Sequence, residues 1–179
     1  MVVLAAYNGV TSWGIYVWLP VLLTYFGLSS SQASLVILIG LALDIVLEAM
    51  TGLFAQKIDN KKIFLLFSTL FVIGLYPTLK LFQLGSFYLD IIGMIFITLL
   101  ISPATAMINS IAVQSVEKKV RYLTLGIFWN IGMTLFGGTA PAVFSFFMHY
   151  ADQASLLIML YMSIFVLLGF IMVKRYARR

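Results

Sequence analysis

The sequence predicts an all-α membrane protein, six transmembrane helices in a single domain over 1–179. Three observations predict it. Of 179 residues, 63% are hydrophobic and only 9% are charged, whereas soluble domains carry roughly 25% charged residues. The apolar residues gather into six runs, each close to the ~20 residues that cross a hydrocarbon core of ~30 Å. Ten of the eleven lysines and arginines fall at one end of the alternating spans, the asymmetry that marks cytoplasmic loops.

The spans are expected near 4–26, 33–55, 63–82, 87–112, 121–148 and 153–174. The polar breaks between them are Ser29 to Gln32, Lys57 to Lys62, Gln83 to Ser86, Gln114 to Lys119 and His149 to Gln153. Breaks this short make sequence neighbours antiparallel. Lys57, Lys61 and Lys62 lie in the second loop, Lys118, Lys119 and Arg121 in the fourth, and Lys174, Arg175, Arg178 and Arg179 in the tail. Lys80 alone is opposite, so both termini are read as cytoplasmic. The first ten residues hold no lysine or arginine, so no cleavable signal peptide is expected.

The six spans differ in polarity. The first carries Asn8, Thr11, Ser12 and Tyr16 on one face, the second Asp44 and Glu48, and the fourth Ser102, Pro103, Thr105 and Asn109. In the fifth, Asn130, Thr134, Gly137, Gly138 and Pro141 are spaced to share one helical face. The third and sixth are nearly bare of strong polar groups. This three-helix recurrence suits two inverted units with a cavity on one side and lipid on the other.

Asp44 and Glu48 stand four apart and project from one helix face. Measured from Lys57 at 1.5 Å per residue, Glu48 lies about 13 Å and Asp44 about 20 Å deep. Ionisable groups at that depth cost about 2.5–3.5 kcal/mol and face protein or water. An apolar surround and a like charge both favour holding a proton there. The pair reads either as a proton or cation site or as structural carboxylates bonded to a neighbouring helix.

Asn8, Ser12, Tyr16, Asn109, Asn130 and Thr134 are the candidates for a polar solute pathway, against a simpler role in bonding helices together. Pro103 suggests a kinked fourth helix. Trp13, Trp18 and Trp129 offer faces for a quaternary ammonium by cation–π attraction or for lipid packing. Gly52 at the end of the second span permits close packing, and the basic turn after it anchors the membrane surface. The double glycine Gly137-Gly138 with Pro141 marks a helix seam or a weakened backbone. Cysteine is absent, which excludes disulfides and cysteine metal sites. No nucleophile–base pair, metal cluster or phosphate loop is visible, so neither enzyme, cofactor nor metal is expected. Basic residues in short clusters between apolar runs argue against nucleic acid.

Arg121-Tyr122, Asn130, Gly132 and Phe136-Gly137-Gly138-Thr139-Ala140-Pro141 resemble the signature of metabolite:proton symporters of the major facilitator superfamily. That group includes proline/betaine transporters, and the matching region is the tenth-helix connection and eleventh helix. Gly52 to Lys62 resembles the superfamily loop motif glycine–x–x–x–aspartate–arginine–x–glycine–arginine–arginine/lysine. Gly52, Lys61 and Lys62 hold the pattern, while Gln56, Lys57, Asp59 and Asn60 replace its aspartate, arginine, glycine and arginine. Leu19-Pro20 resembles the family's seventh helix. The resemblance implies the second half of a twelve-helix transporter in a bacterial cytoplasmic (inner) membrane. It further implies proton-coupled symport of a small zwitterionic or organic solute by alternating access, against an N-terminal half or a second copy. A loop latch at Gly52, Lys57, Lys61, Lys62 and Arg121 belongs to the same expectation. A remnant that transports nothing and a membrane assembly module are the competing readings.

Overall fold

A computed structural model describes residues 1–54, 59–150 and 153–176. These residues form six helices long and apolar enough to cross a membrane. They are α1 (Val2–Tyr25), α2 (Ser30–Phe54), α3 (Asn60–Phe82), α4 (Phe87–Gln114), α5 (Arg121–Tyr150) and α6 (Ala154–Tyr176). The protein is an all-α integral membrane bundle.

Local chemistry sets the helix ends. Asp59 is extended and its carboxylate accepts from the Lys61 N–H at 3.0 Å, satisfying a donor that a helix start leaves unpaired. This cap starts α3 at Asn60, ahead of the apolar run. Gly27 at φ +105° and Gly85 at φ +62° turn the chain after α1 and α3, a backbone region that other residues adopt at a cost. A methyl group on Gly85 would run into the Phe26 carbonyl, so the two turns also lie against one another.

Named contacts fix the directions of the helices. Gly9 meets Gly137, and the Trp18 indole N–H donates to Ser145 Oγ at 3.1 Å, so α1 and α5 run parallel. Gly40 meets Met94 while Asp44 meets Ser102, so α2 and α4 are parallel as well. Asn60 donates to Ser110 Oγ at 3.0 Å and Gly93 lies on Phe82, which makes α3 and α4 antiparallel. Gly169 packs on Phe64, and Ile158 and Met162 lie with Leu75 and Leu79, which does the same for α6 and α3.

The packing has an internal symmetry. α1 packs on α5 and α6, α4 packs on α2 and α3, and α3 meets α6. Exchanging each helix for the one three along maps these seams onto themselves. Because α1 and α4 run in opposite directions, the two three-helix units are inverted relative to each other. α1 and α4 are the most deeply buried spans, α2 and α5 the most exposed. The core between them holds Tyr7, Phe64, Phe71, Phe82, Met107 and Phe144, all fully buried.

α1 and α5 are not uniform α-helices. Gly14–Trp18 in α1 and Leu125–Trp129 and Met133–Gly137 in α5 are wound as π-turns. A π-turn adds a residue to the circuit and shifts everything beyond it around the axis. The single face expected for Asn130, Thr134, Gly137, Gly138 and Pro141 is therefore divided. Gly137 is buried on α1, whereas Asn130, Thr134 and Gly138 are exposed and Pro141 is half-buried. Gly132, outside that set, is buried against Val2, Ala5 and Ala6.

Candidate functional site

Two polar constellations occupy the central helices. The first lies on the seam of α2 and α4. Parallel packing sets Asp44 and Glu48 opposite Ser102 and Thr105, each pair about one helical turn apart on its own helix. The Ser102 hydroxyl donates to Asp44 Oδ1, and the Thr105 hydroxyl donates to Glu48 Oε1 at 2.9 Å. Each hydroxyl also has a backbone acceptor in reach. Ser102 Oγ lies 2.8 Å from the Thr98 carbonyl, and Thr105 Oγ1 lies 2.9 Å from the Ser102 carbonyl. A hydroxyl has one proton and can accept another. An ionised carboxylate thus accepts from the hydroxyl, while a protonated carboxyl donates to it and the hydroxyl turns to its own helix. Both protonation states leave the seam hydrogen-bonded.

Tyr16 completes this group from the π-turn of α1. Its phenol lies beside Asp44, Ser102 and Thr98 without closing a hydrogen bond to any of them. Asp44 and Glu48 are each half-buried, so both retain access to the open side of the bundle.

The second constellation is a cleft of about 470 Å³ between α1, α4 and α5. It brings together the carboxamides of Asn8, Asn109 and Asn130 with the Trp129 indole, over Gly126 and Leu125. Asn130 Nδ2 donates to the Gly126 carbonyl at 2.6 Å, leaving its carbonyl oxygen for the cleft. Ser12 donates to Asn8 Oδ1 at 3.4 Å, and Asn8 Nδ2 lies 3.9 Å from Met133 Sδ. Ser12 therefore supports Asn8 from behind. Thr134 is exposed and does not line the cleft.

The remaining predicted positions are scattered. Gly52 is exposed, and a methyl group added there would meet no described atom within 4 Å; the close packing expected of it is absent among the described residues. Lys57 lies outside the described residues. Lys61 and Lys62 open α3. The Arg121 guanidinium donates to the Val116 carbonyl from Nη2 at 3.0 Å and Nε at 3.3 Å, so it pins the α4–α5 connection. Pro103 sits within a continuous α4, and Pro141 lies in the first turn of the last α-helical stretch of α5, Ala140–Phe147.

Sequence reasoning missed several partners. Ser102 and Thr105 were visible only as polar residues of the fourth span, though Thr98, Ser102 and Thr105 already trace one face at helical spacing. Asp90, in the first turn of α4, is fully buried with both carboxylate oxygens unpaired among the described residues; its signal was one acid in an otherwise apolar run. Gly9, opposite Gly137, carried no signal of its own.

No family model matches the chain, and no solved structure matches it. Its sequence is similar to curated proteins described as "Putative proline/betaine transporter". In Staphylococcus aureus strains COL and N315 the identity is 30% over 145 residues, which cover 79% of this chain and 30% of the relative. In Staphylococcus haemolyticus strain JCSC1435 it is 28% over 145 residues, with the same coverage. The chain spans about 30% of the length of the curated relatives it matches.

Proposed function

We propose that this chain is the C-terminal half-bundle of a major-facilitator transporter, driving uptake of a small zwitterionic solute of the proline or betaine kind with protons. The reading rests above all on the α2–α4 seam. Its two carboxyls lie in one span of membrane length, and each meets a hydroxyl that serves either protonation state. A structural seam needs only one of those states.

Asp44 and Glu48 take and release the coupling proton, with Ser102 and Thr105 as their switching partners. The carboxamide cleft supplies neutral donors and acceptors for a zwitterion, and the Trp129 face suits an alkylated ammonium. Tyr16 stands between α1 and α2, where the proton site and the solute face meet. The bundle rocks against a second six-helix half, which covers the exposed face of α5 and the side of α2 away from Phe54, with its lysine-rich end in the cytoplasm of a bacterial cell membrane. The relatives' description as putative proline/betaine transporters and their greater length support reading the chain as part of a transporter.

The test is uptake of labelled proline and glycine betaine into proteoliposomes, under an imposed pH gradient, by the chain with any polypeptide that co-purifies. Acid outside should drive accumulation, and Asp44→Asn should abolish it while solute exchange without a gradient persists. Gradient-driven accumulation by Asp44→Asn would remove the proton assignment. A chain that purifies alone and carries neither solute would remove the transporter reading.

A further inference from the structure

Near the lysine-bearing start of α3 the bundle has an open groove. α2 and α3 follow each other in sequence, yet each packs on α4 and they leave a furrow between them. Thr51 and Phe54 of α2 form one wall, Ile63, Leu66 and Phe67 of α3 the other, and Pro103 of α4 the floor. The furrow encloses about 410 Å³. Phe54 and Leu66 are more than half exposed, so the furrow opens sideways, toward the bilayer.

Its chemistry is graded along the helix axis. From Lys62 to Phe67 the α3 wall rises about 8 Å at 1.5 Å per residue, passing from a primary ammonium to aliphatic and aromatic surface. Among the described residues no carboxylate lines it. The nearest acid in sequence, Asp59, is engaged in capping α3. A cation at the membrane surface above a lateral apolar furrow complements one kind of molecule in a bilayer, an anionic headgroup joined to an acyl chain. A zwitterionic lipid fills the apolar part equally well but gains little at the lysine.

We propose that the α2–α3 furrow is a binding site for an anionic phospholipid, its phosphate on Lys62 and one acyl chain against Phe54, Leu66, Phe67 and Pro103. The bound lipid fills the furrow between α2 and α3 and braces the helix that carries Asp44 and Glu48. The site does not depend on the transport reading, since it needs only the bundle and the membrane.

The purified chain is placed in phosphatidylcholine nanodiscs containing a small fraction of phosphatidylglycerol with a diazirine on its acyl chain. After irradiation, labelled peptides are mapped by mass spectrometry, and phosphatidylcholine bearing the same group serves as the reference. Labelling at Phe54, Leu66 or Phe67 is expected to be about fivefold stronger from phosphatidylglycerol, the preference that one lysine near the surface gives. Lys62→Gln should lower it to the phosphatidylcholine level and Lys62→Arg should preserve it. Leu66→Trp, which fills the furrow from an exposed position, should abolish labelling at Phe67. Equal labelling by the two lipids, or a preference that survives Lys62→Gln, would overturn the proposal. If Lys62→Gln does not fold, Leu66→Trp decides: undiminished labelling at Phe67 places the lipid outside the furrow.

Discussion

Gly9 and Gly137 cross backbone to backbone. A methyl group built on Gly137 would lie 2.8 Å from Gly9 Cα, and one built on Gly9 would lie 3.0 Å from Gly137 Cα. Nothing there is a flexible side-chain end that could move aside. With Gly132 packed on Val2, Ala5 and Ala6, this crossing seats α5 on α1 by close contact, the mode that small residues permit in lipid.

Gly137→Ala should therefore destabilise the bundle by about 1–3 kcal/mol, the range for overpacking, although alanine is the better helix former. Gly52→Ala, where the added methyl meets nothing, should be neutral or slightly stabilising. Thermal unfolding of both variants in one detergent checks the contrast, and equal midpoints would contradict the crossing.

Asp44→Asn retains an oxygen that accepts from Ser102 but cannot ionise. Its unfolding free energy should stay within about 0.5 kcal/mol of the parent, while proton-driven uptake is lost. Ser102→Ala should cost roughly 0.6–1.7 kcal/mol, from the average to the largest value for hydrogen bonds between membrane helices. A large stability loss in Asp44→Asn would make the carboxylate a structural group.

The Tyr7 hydroxyl and Ser68 Oγ, 2.9 Å apart, are fully buried between α1 and α3. Ser68→Ala strands the phenol in apolar surroundings and should cost about 1–3 kcal/mol. The double variant Tyr7→Phe, Ser68→Ala should recover part of that loss, since neither polar group is then left alone. Chemical unfolding in mixed micelles supplies the cycle, and strict additivity would deny the bond.

The chain contains no cysteine, so single introduced thiols report topology without background. Leu84→Cys in the α3–α4 turn and Ser115→Cys after α4 should label from opposite faces of the membrane with an impermeant reagent. Asn109→Cys, in the amide cleft, should label from the same face as Ser115→Cys. Phe71→Cys, buried in the core, should stay unreactive in every case.

The mixed outcome on α5 shows where sequence reading ends. Reading at 3.6 residues per turn puts Asn130, Thr134, Gly137, Gly138 and Pro141 together, and the π-turn Met133–Gly137 within that stretch divides them. Winding of this kind answers to the packing of Gly132 and Gly137 on α1, which no local pattern announces. Asp44 and Glu48, by contrast, lie on a regular helix and keep the common face that their spacing implies. The amide cleft is intermediate: Asn8, Asn109 and Asn130 stood out as polar residues in apolar spans, but only the approach of α1, α4 and α5 makes them neighbours.

Composition, the six apolar runs and the clustered lysines alone determined that this protein is a six-helix membrane bundle. These properties are local, because each span satisfies its own backbone and hydrophobicity decides its place in the bilayer. Tertiary structure decided the seams. Asp44 found Ser102 across 58 residues of sequence, Gly9 found Gly137, and α2 and α3 came to line a common furrow. Such pairings follow from how closely backbones approach and which polar groups remain unsatisfied, quantities that exist only once all six helices are packed.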